Sequence, residues 1–345
     1  MALNRQEVHE KTLQVRRLLE DLFILEAIYS TRSSVVLRGA PLVPANDFAA
    51  AASARLTAAG YRSTVETGLN PGQVGPRALV TVHWEEQTET VPWINVALFL
   101  ATVGSTTLLG GPKFAVWFLA ILLFHEFGHF ILARKWKIDA SWPYFIPAPT
   151  ILGTFGAFIR LRSPIRDRVA LFDMAVAGPL AGFVIAVTAL IVGLAHSTIV
   201  GPEAHADKLM LGESLLFRGL ASLILPGLGP DQDVILHPIA FAGWAGLLVT
   251  MFNLLQIGQL DGGHIAYALF GRGQRWLGIA AIAALATISF WWPWWLIWVG
   301  IGLLMRPQHP PTMIDEIPIG RGRRILGWLA FVIFALCFTP APFSD

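Results

Sequence analysis

Two hydrophobic rhythms divide the 345-residue chain. Up to about residue 90, apolar positions recur at helical or strand spacing among many polar ones. Residues 6–27 set Leu13, Leu18, Leu19, Leu22 and Phe23 at helical intervals, while residues 33–42, 61–67 and 79–84 carry the β-branched and aromatic alternation of strands. Asn46 stands where it would cap an alanine-rich helix that ends at Gly60. Together these elements predict a small soluble α+β domain. Beyond residue 91 the polar positions thin out and apolar stretches follow one another at 92–109, 114–133, 169–195, 238–258, 276–290, 294–305 and 325–338. Some are shorter than the roughly 20 residues of a straight membrane crossing. The pattern predicts a polytopic all-α membrane protein of about seven transmembrane helices.

Composition sharpens this picture. With 54% hydrophobic residues, 14% charged residues, 13 Trp and a mean hydropathy of +0.58, the chain is unlike a soluble enzyme. A net charge of +2 without a Lys/Arg-rich run gives no reason to expect a nucleic-acid partner. The opening residues run into a charged amphipathic stretch with no apolar core, so no cleavable signal is expected and the N-terminus is placed in the cytoplasm. Charge asymmetry then sets the orientation. Arg134, Lys135, Lys137, Arg160, Arg162, Arg166 and Arg168 outnumber Asp139 and Asp167 in the connection 134–168, whereas Glu203, Asp207, Glu213, Asp231 and Asp233 outnumber Lys208 and Arg218 in 196–237. The positive-inside rule makes the first cytoplasmic and the second external. A hairpin turning at 291–295 keeps Arg306, Arg321, Arg323 and Arg324 inside. The single cysteine, Cys337, is expected to pack rather than react.

The candidate chemistry lies inside the second apolar stretch, at His125-Glu126-Phe127-Gly128-His129. Histidines at i and i+4 share a helix face, so both imidazoles can hold one Zn²⁺ while Glu126 faces the metal's water. Three ionisable groups in five residues would be a costly way to build an inert anchor. A catalytic zinc takes three protein ligands and leaves a fourth position open. The next glutamate, Glu203, falls in the external connection, and Lys135 occupies the position where a metzincin would have histidine. Asp261, in Gln259-Leu260-Asp261-Gly262-Gly263-His264, is the best remaining third ligand, with His264 and Asp173 as rivals at similar depth. A strand is expected over residues 153–160, after the proline-rich stretch 143–149. An open strand edge there could pair with an extended peptide, through Thr154, Phe155 and Gly156, and Asn253 could add a side-chain donor and acceptor. For Gly178-Pro179-Leu180-Ala181-Gly182, close helix approach is a sufficient explanation.

These motifs in order, H-E-F-G-H, then Ala177 to Gly182, then Asn253 through Leu260-Asp261-Gly262-Gly263, resemble the site-2 protease family of intramembrane zinc metalloproteases. The layout without an inserted PDZ-like domain is similar to the cyanobacterial and plastid-type branch. The resemblance implies one Zn²⁺ per chain on His125, His129 and Asp261, Glu126 as catalytic base, and Asn253 as a holder of substrate backbone. It implies substrates that are membrane proteins with a transmembrane helix, cut within the lipid bilayer near its cytoplasmic side. One departure is visible at Gln256, where the family commonly has proline. The expected division is a soluble domain over 1–90, a metalloprotease core over 91–271, and C-terminal transmembrane helices over 272–345. The alternative from another class is a polytopic metal transporter or metal-handling membrane protein, which would spread acids and histidines through several spans.

Overall fold

The computed structural model describes residues 5–31, 34–67, 77–84, 92–201, 210–229 and 232–344. The elements, in chain order, are α1 (Arg5–Leu19), β1 (Phe23–Ser30), β2 (Ser34–Pro41), α2 (Ala45–Ala58), β3 (Arg62–Glu66), β4 (Ala78–His83), α3 (Trp93–Lys135), β5 (Tyr144–Pro147), β6 (Thr154–Phe158), α4 (Arg168–Leu194), β7 (Thr198–Val200), β8 (Met210–Leu211), α5 (Leu215–Ile224), β9 (Asp233–Ile235), α6 (Pro238–Asn253), α7 (Asp261–Phe270), α8 (Gln274–Ile288), α9 (Trp295–Met305), α10 (Arg321–Cys337) and β10 (Phe343–Ser344). They form two compact units. One gathers the described residues up to 84 with Leu161–Asp167 and Thr312–Ile317; the other comprises Pro92–Arg160, Arg168–Pro311 and the residues from Pro318 onward.

The first unit is an antiparallel sheet in the order β1-β2-β4-β3. Strands expected over 33–42, 61–67 and 79–84 form as β2, β3 and β4, although Ser33 itself lies outside the described residues. The helix expected over 6–27 is corrected: α1 stops at Leu19, and after a turn at 20–22 the eight residues Phe23–Ser30 become an edge strand. Leu22 and Phe23 fit either period, and pairing of β1 with β2, from Phe23 opposite Pro41 to Ser30 opposite Val35, decides for strand. Asn46 is not the cap either, because α2 already begins at Ala45 with Pro44 in the cap position. Val15, Leu19, Phe23, Leu37, Phe48, Leu56 and Val80 fill the core between sheet and helices. On the other sheet face Val36 and Leu79 pack against Met313 and Ile314. There Arg38 donates to the Met313 carbonyl, and Arg38 and Arg77 reach the Glu316 carboxylate at 3.1 and 3.0 Å.

The second unit is mostly helical. The stretches 92–109 and 114–133 form two helical segments of α3, which meet at a kink where Gly111 leaves the helical range with φ 78° before Pro112. A proline has no N–H to donate back, and glycine supplies the left-handed turn, so the chain kinks here instead of forming a loop. Among the described residues α3 and the 27-residue α4 are the two helices long and apolar enough to cross a membrane, while α6 and α9 have 16 and 11 residues. Close backbone approach joins α4 to α6: a Cβ on Gly243 would lie 2.5 Å from the Leu190 nitrogen. The expected strand over 153–160 forms as β6, paired antiparallel with β5 into a hairpin. The connection 196–237 contains more structure than its polarity suggested, namely the short pair β7–β9, the strand β8, which pairs with β10 from the end of the chain, and the helix α5, whose cap Ser214 accepts from the Phe217 N–H. Glu203, Asp207, Lys208 and Asp231 in that connection lie outside the described residues. Cys337 is buried and free.

Candidate metal centre and the comparisons

His125 and His129 stand one turn apart on α3, both buried, with their Nε2 atoms 3.1 Å apart. Asp261, the first residue of α7, brings Oδ2 to 3.3 Å from each of those nitrogens. The three atoms form a nearly equilateral triangle. A tetrahedral ion held at about 2.0–2.1 Å by each donor keeps its donors about 3.3 Å apart, so the triangle is one face of a zinc-sized tetrahedron. Two imidazoles and a carboxylate are also a donor set that suits zinc. The fit depends on glycines after Asp261. A Cβ on Gly262 would press into the Leu254 and Leu255 carbonyls, and one on Gly263 would stand 2.7 Å from the Ile257 carbonyl. Only without side chains at these two positions can the start of α7 fold back on the 254–258 turn and carry Asp261 to the histidines.

α4 forms the other wall. A Cβ at Gly178 would sit in the His129 ring, and one at Gly182 would stand 3.1 Å from His125 Cβ. Glycines four apart on α4 thus face histidines four apart on α3. Because the helices lie this close, His129 Nδ1 comes to 2.8 Å from the Met174 carbonyl. A carbonyl can only accept, so Nδ1 carries the hydrogen and the Nε2 lone pair is turned to the site. Asn253, the last residue of α6, places Nδ2 3.2 Å from His125 Nε2.

Glu126 is buried beside the trio, with Ile159, just beyond β6, nearby. Within the hairpin, the Thr154 hydroxyl donates to the Ile146 carbonyl at 2.6 Å and accepts from the Gly156 N–H at 3.0 Å. Its side chain is therefore occupied locally. Phe155 is exposed, and Gly156 has φ 100°, a conformation other residues rarely adopt. β6 pairs with β5 alone, so one edge carries no strand among the described residues.

Both rival ligands are engaged elsewhere. His264 Nδ1 lies 2.6 Å from His309 Nε2, and Asp173 is ion-paired to Arg323. Among the described residues, His125, His129 and Asp261 are the one group of three such side chains placed to hold a metal. The roles of Met174, Gly178 and Gly182 were invisible to motif reasoning, since one acts through a backbone atom and two through the lack of a side chain. Only the matching four-residue spacing of the glycine and histidine pairs was available as a signal.

A family model described as Peptidase family M50 matches residues 113–291. Among curated proteins, the chain is 36% identical over 231 residues to the probable zinc metalloprotease EGY1, chloroplastic, of Arabidopsis thaliana, which covers 64% of this chain and 41% of that protein. It is 32% identical over 236 residues to the probable zinc metalloprotease EGY2, chloroplastic, of Oryza sativa subsp. indica, with 66% and 43% covered. For the Arabidopsis thaliana EGY2 the figures are 30% over 277 residues, 79% and 49%. The chain thus spans less than half the length of each of these relatives. The matched stretch takes in more than half of the chain, with both histidines, Glu126, Asn253 and Asp261 inside it, and the chain belongs to Peptidase family M50.

Proposed function

We propose that this chain is a zinc-dependent intramembrane endopeptidase that hydrolyses peptide bonds in the transmembrane segments of membrane proteins. The observation that carries it is the triangle of His125 Nε2, His129 Nε2 and Asp261 Oδ2, with the Glu126 carboxylate beside it, in an apolar helix of membrane-crossing length. In this reading about seven helical segments lie in the bilayer, the N-terminus is cytoplasmic, and the centre faces the cytoplasmic side. A metal transporter is not favoured, because the metal-binding side chains converge at one point instead of marking a path.

Zinc held by His125, His129 and Asp261 supplies an acidified water and a Lewis acid for the scissile carbonyl. The chain's own groups do the rest. Glu126 accepts the proton of the attacking water on its carboxylate and delivers it to the leaving amine. The Met174 carbonyl holds His129 in one tautomer. A substrate helix hides its carbonyls in i to i−4 bonds and must open locally. The free edge of β6 over Thr154, Phe155 and Gly156 offers replacement backbone partners, and Asn253 holds the opened segment beside His125.

Glu126→Gln should retain zinc and fold but lose all but a few per cent of cleavage, since an amide cannot take the proton; substantial residual turnover would remove Glu126 from the base role. Substrate handling has its own test. Proline and glycine are about 3 and 1 kcal/mol poorer than alanine in a helix interior, so test substrates carrying them near the cut should be cleaved faster than a leucine version. Gly156→Pro, which forces φ away from 100°, should block cleavage with zinc retained. Equal rates for the three substrates, or an active Gly156→Pro enzyme, would leave β6 without a part in binding.

A further inference from the structure

We propose that Arg323, on α10 and beyond the family-matched stretch, is a positioning residue for the metal ligand His129, acting through Asp173 and the register of α4; this rests on the metal-site reading above. Three donors converge on the Asp173 carboxylate. Arg323 Nε lies 2.6 Å from Oδ1, its Nη2 lies 2.9 Å from Oδ2, and Trp136 Nε1 donates to Oδ2 at 3.3 Å. The fork geometry of a guanidinium on a carboxylate fixes orientation as well as distance, and a lysine cannot reproduce it.

The position of this node matters more than its strength. Trp136 caps the C-terminal end of α3, seven residues beyond His129, and Asp173 directly precedes Met174, whose carbonyl holds His129 Nδ1 at 2.8 Å. Asp173 therefore locks the second turn of α4 to the end of α3 beside the contact that orients the imidazole. A slip of α4 by one residue's rise, about 1.5 Å, would take a hydrogen bond of this length out of range. α10 is placed to hold that register, because it lies against both neighbouring helices of the site. A Cβ on Gly327 would stand 2.9 Å from Leu269 of α7 and 3.1 Å from Phe172 of α4. The same helix thus braces the element that carries Asp261 and the one that orients His129.

The test uses the full chain in detergent, with three readouts: zinc affinity by competition with a chromophoric chelator, the d–d absorption of the cobalt(II) form, and cleavage. Arg323→Ala should weaken zinc severalfold, less than the tenfold or more expected when the partner that touches a ligating histidine is itself lost, and should alter the cobalt band. Arg323→Lys should recover only part of the affinity. The exchange Asp173→Arg with Arg323→Asp should recover more than either single change. Trp136→Phe, which removes one donor and keeps a ring, should show a smaller loss with the fold intact. Arg218→Ala, which breaks the exposed 3.2 Å pair with Glu213, should change none of these readouts. Arg323→Ala with wild-type zinc affinity and an unchanged cobalt spectrum would overturn the proposal. If Arg323→Ala does not fold, a folded charge exchange and Trp136→Phe decide: zinc loss in Trp136→Phe with recovery in the exchange supports the proposal, and wild-type affinity in Trp136→Phe overturns it. A wild-type chain that binds neither ion would overturn the metal site itself, a result distinct from a zinc-loaded wild type whose Arg323 is dispensable.

Discussion

The two units differ in what they expose and in the polar groups they bury. In the sheet-bearing unit large apolar side chains point inward, with Phe48, Leu37, Leu56 and Val80 fully or almost fully buried, as water demands. In the helical unit some of the largest apolar side chains point outward: Phe290 is 88% exposed, Leu108 86% and Leu304 85%. Its interior holds, beside buried Phe114, Phe118, Phe172 and Trp295, glycines at close helix contacts and a polar cluster of His125, Glu126 and His129. An apolar residue reports burial only where the surroundings are water. Where they are hydrocarbon, small residues mark the helix contacts and polar residues mark the site.

The largest effect that could break this contrast is a charge on the outer face of each unit. Val184→Arg, at a 59% exposed position midway along α4, should reduce membrane insertion by about 2.5–3.5 kcal/mol. Ile28→Arg, on the exposed side of β1, should stay within about 0.5 kcal/mol in stability. Equal tolerance in an insertion assay would mean that the outer face of α4 meets water. Next in size, Val80→Ala in the sheet core should destabilise that unit by on the order of 2 kcal/mol through lost burial and a cavity, with zinc content unchanged by metal analysis.

A loss of at least about 1.4 kcal/mol, tenfold or more in zinc affinity, is expected for Asp261→Ala, and a loss of similar order for Gly178→Ala, whose methyl group would enter the His129 ring. Unchanged zinc in Asp261→Ala with loss in His264→Ala would move the third ligand to His264. The smallest effect is set by pH in the sheet-bearing unit. Burial acts to raise the Glu316 carboxyl, but backbone hydrogen bonding and the Arg38 and Arg77 guanidiniums outweigh it and hold the group below its ordinary value. A depressed carboxyl stabilises above its unfolded value and loses that contribution as pH falls through the folded one. Because Glu316 is about a third exposed and screened, Glu316→Gln should cost no more than about 1 kcal/mol at pH 7, and the difference should vanish in acid. A difference that grew as pH fell would reverse the assigned sign.

Much of this was legible residue by residue. The spacing of His125 and His129 needs only helical geometry, and β2, β3 and β4 announced themselves through β-branched alternation. β1 was misread as helix because Leu18, Leu19, Leu22 and Phe23 satisfy the helical period, and the partner that makes Phe23–Ser30 a strand lies in the next segment of chain. α5 and the strand pairs of the 196–237 connection escaped because short elements are stabilised by contacts distant in sequence, such as β10 on β8.

The sequence by itself determined the metal-binding chemistry and the apolar character of the helical unit, because a helix brings residues four apart together whatever surrounds it. Which acid completes the trio was settled only in three dimensions. Asp261 was the best candidate on the chain with Asp173 and His264 as rivals, and the fold sends Asp173 to Arg323, His264 to His309, and Asp261 to the histidines. The reason is steric: Gly262 and Gly263 let α7 start against the preceding turn, Gly178 and Gly182 let α4 lie against the imidazoles, and what a missing side chain permits depends on which backbone arrives to use the space.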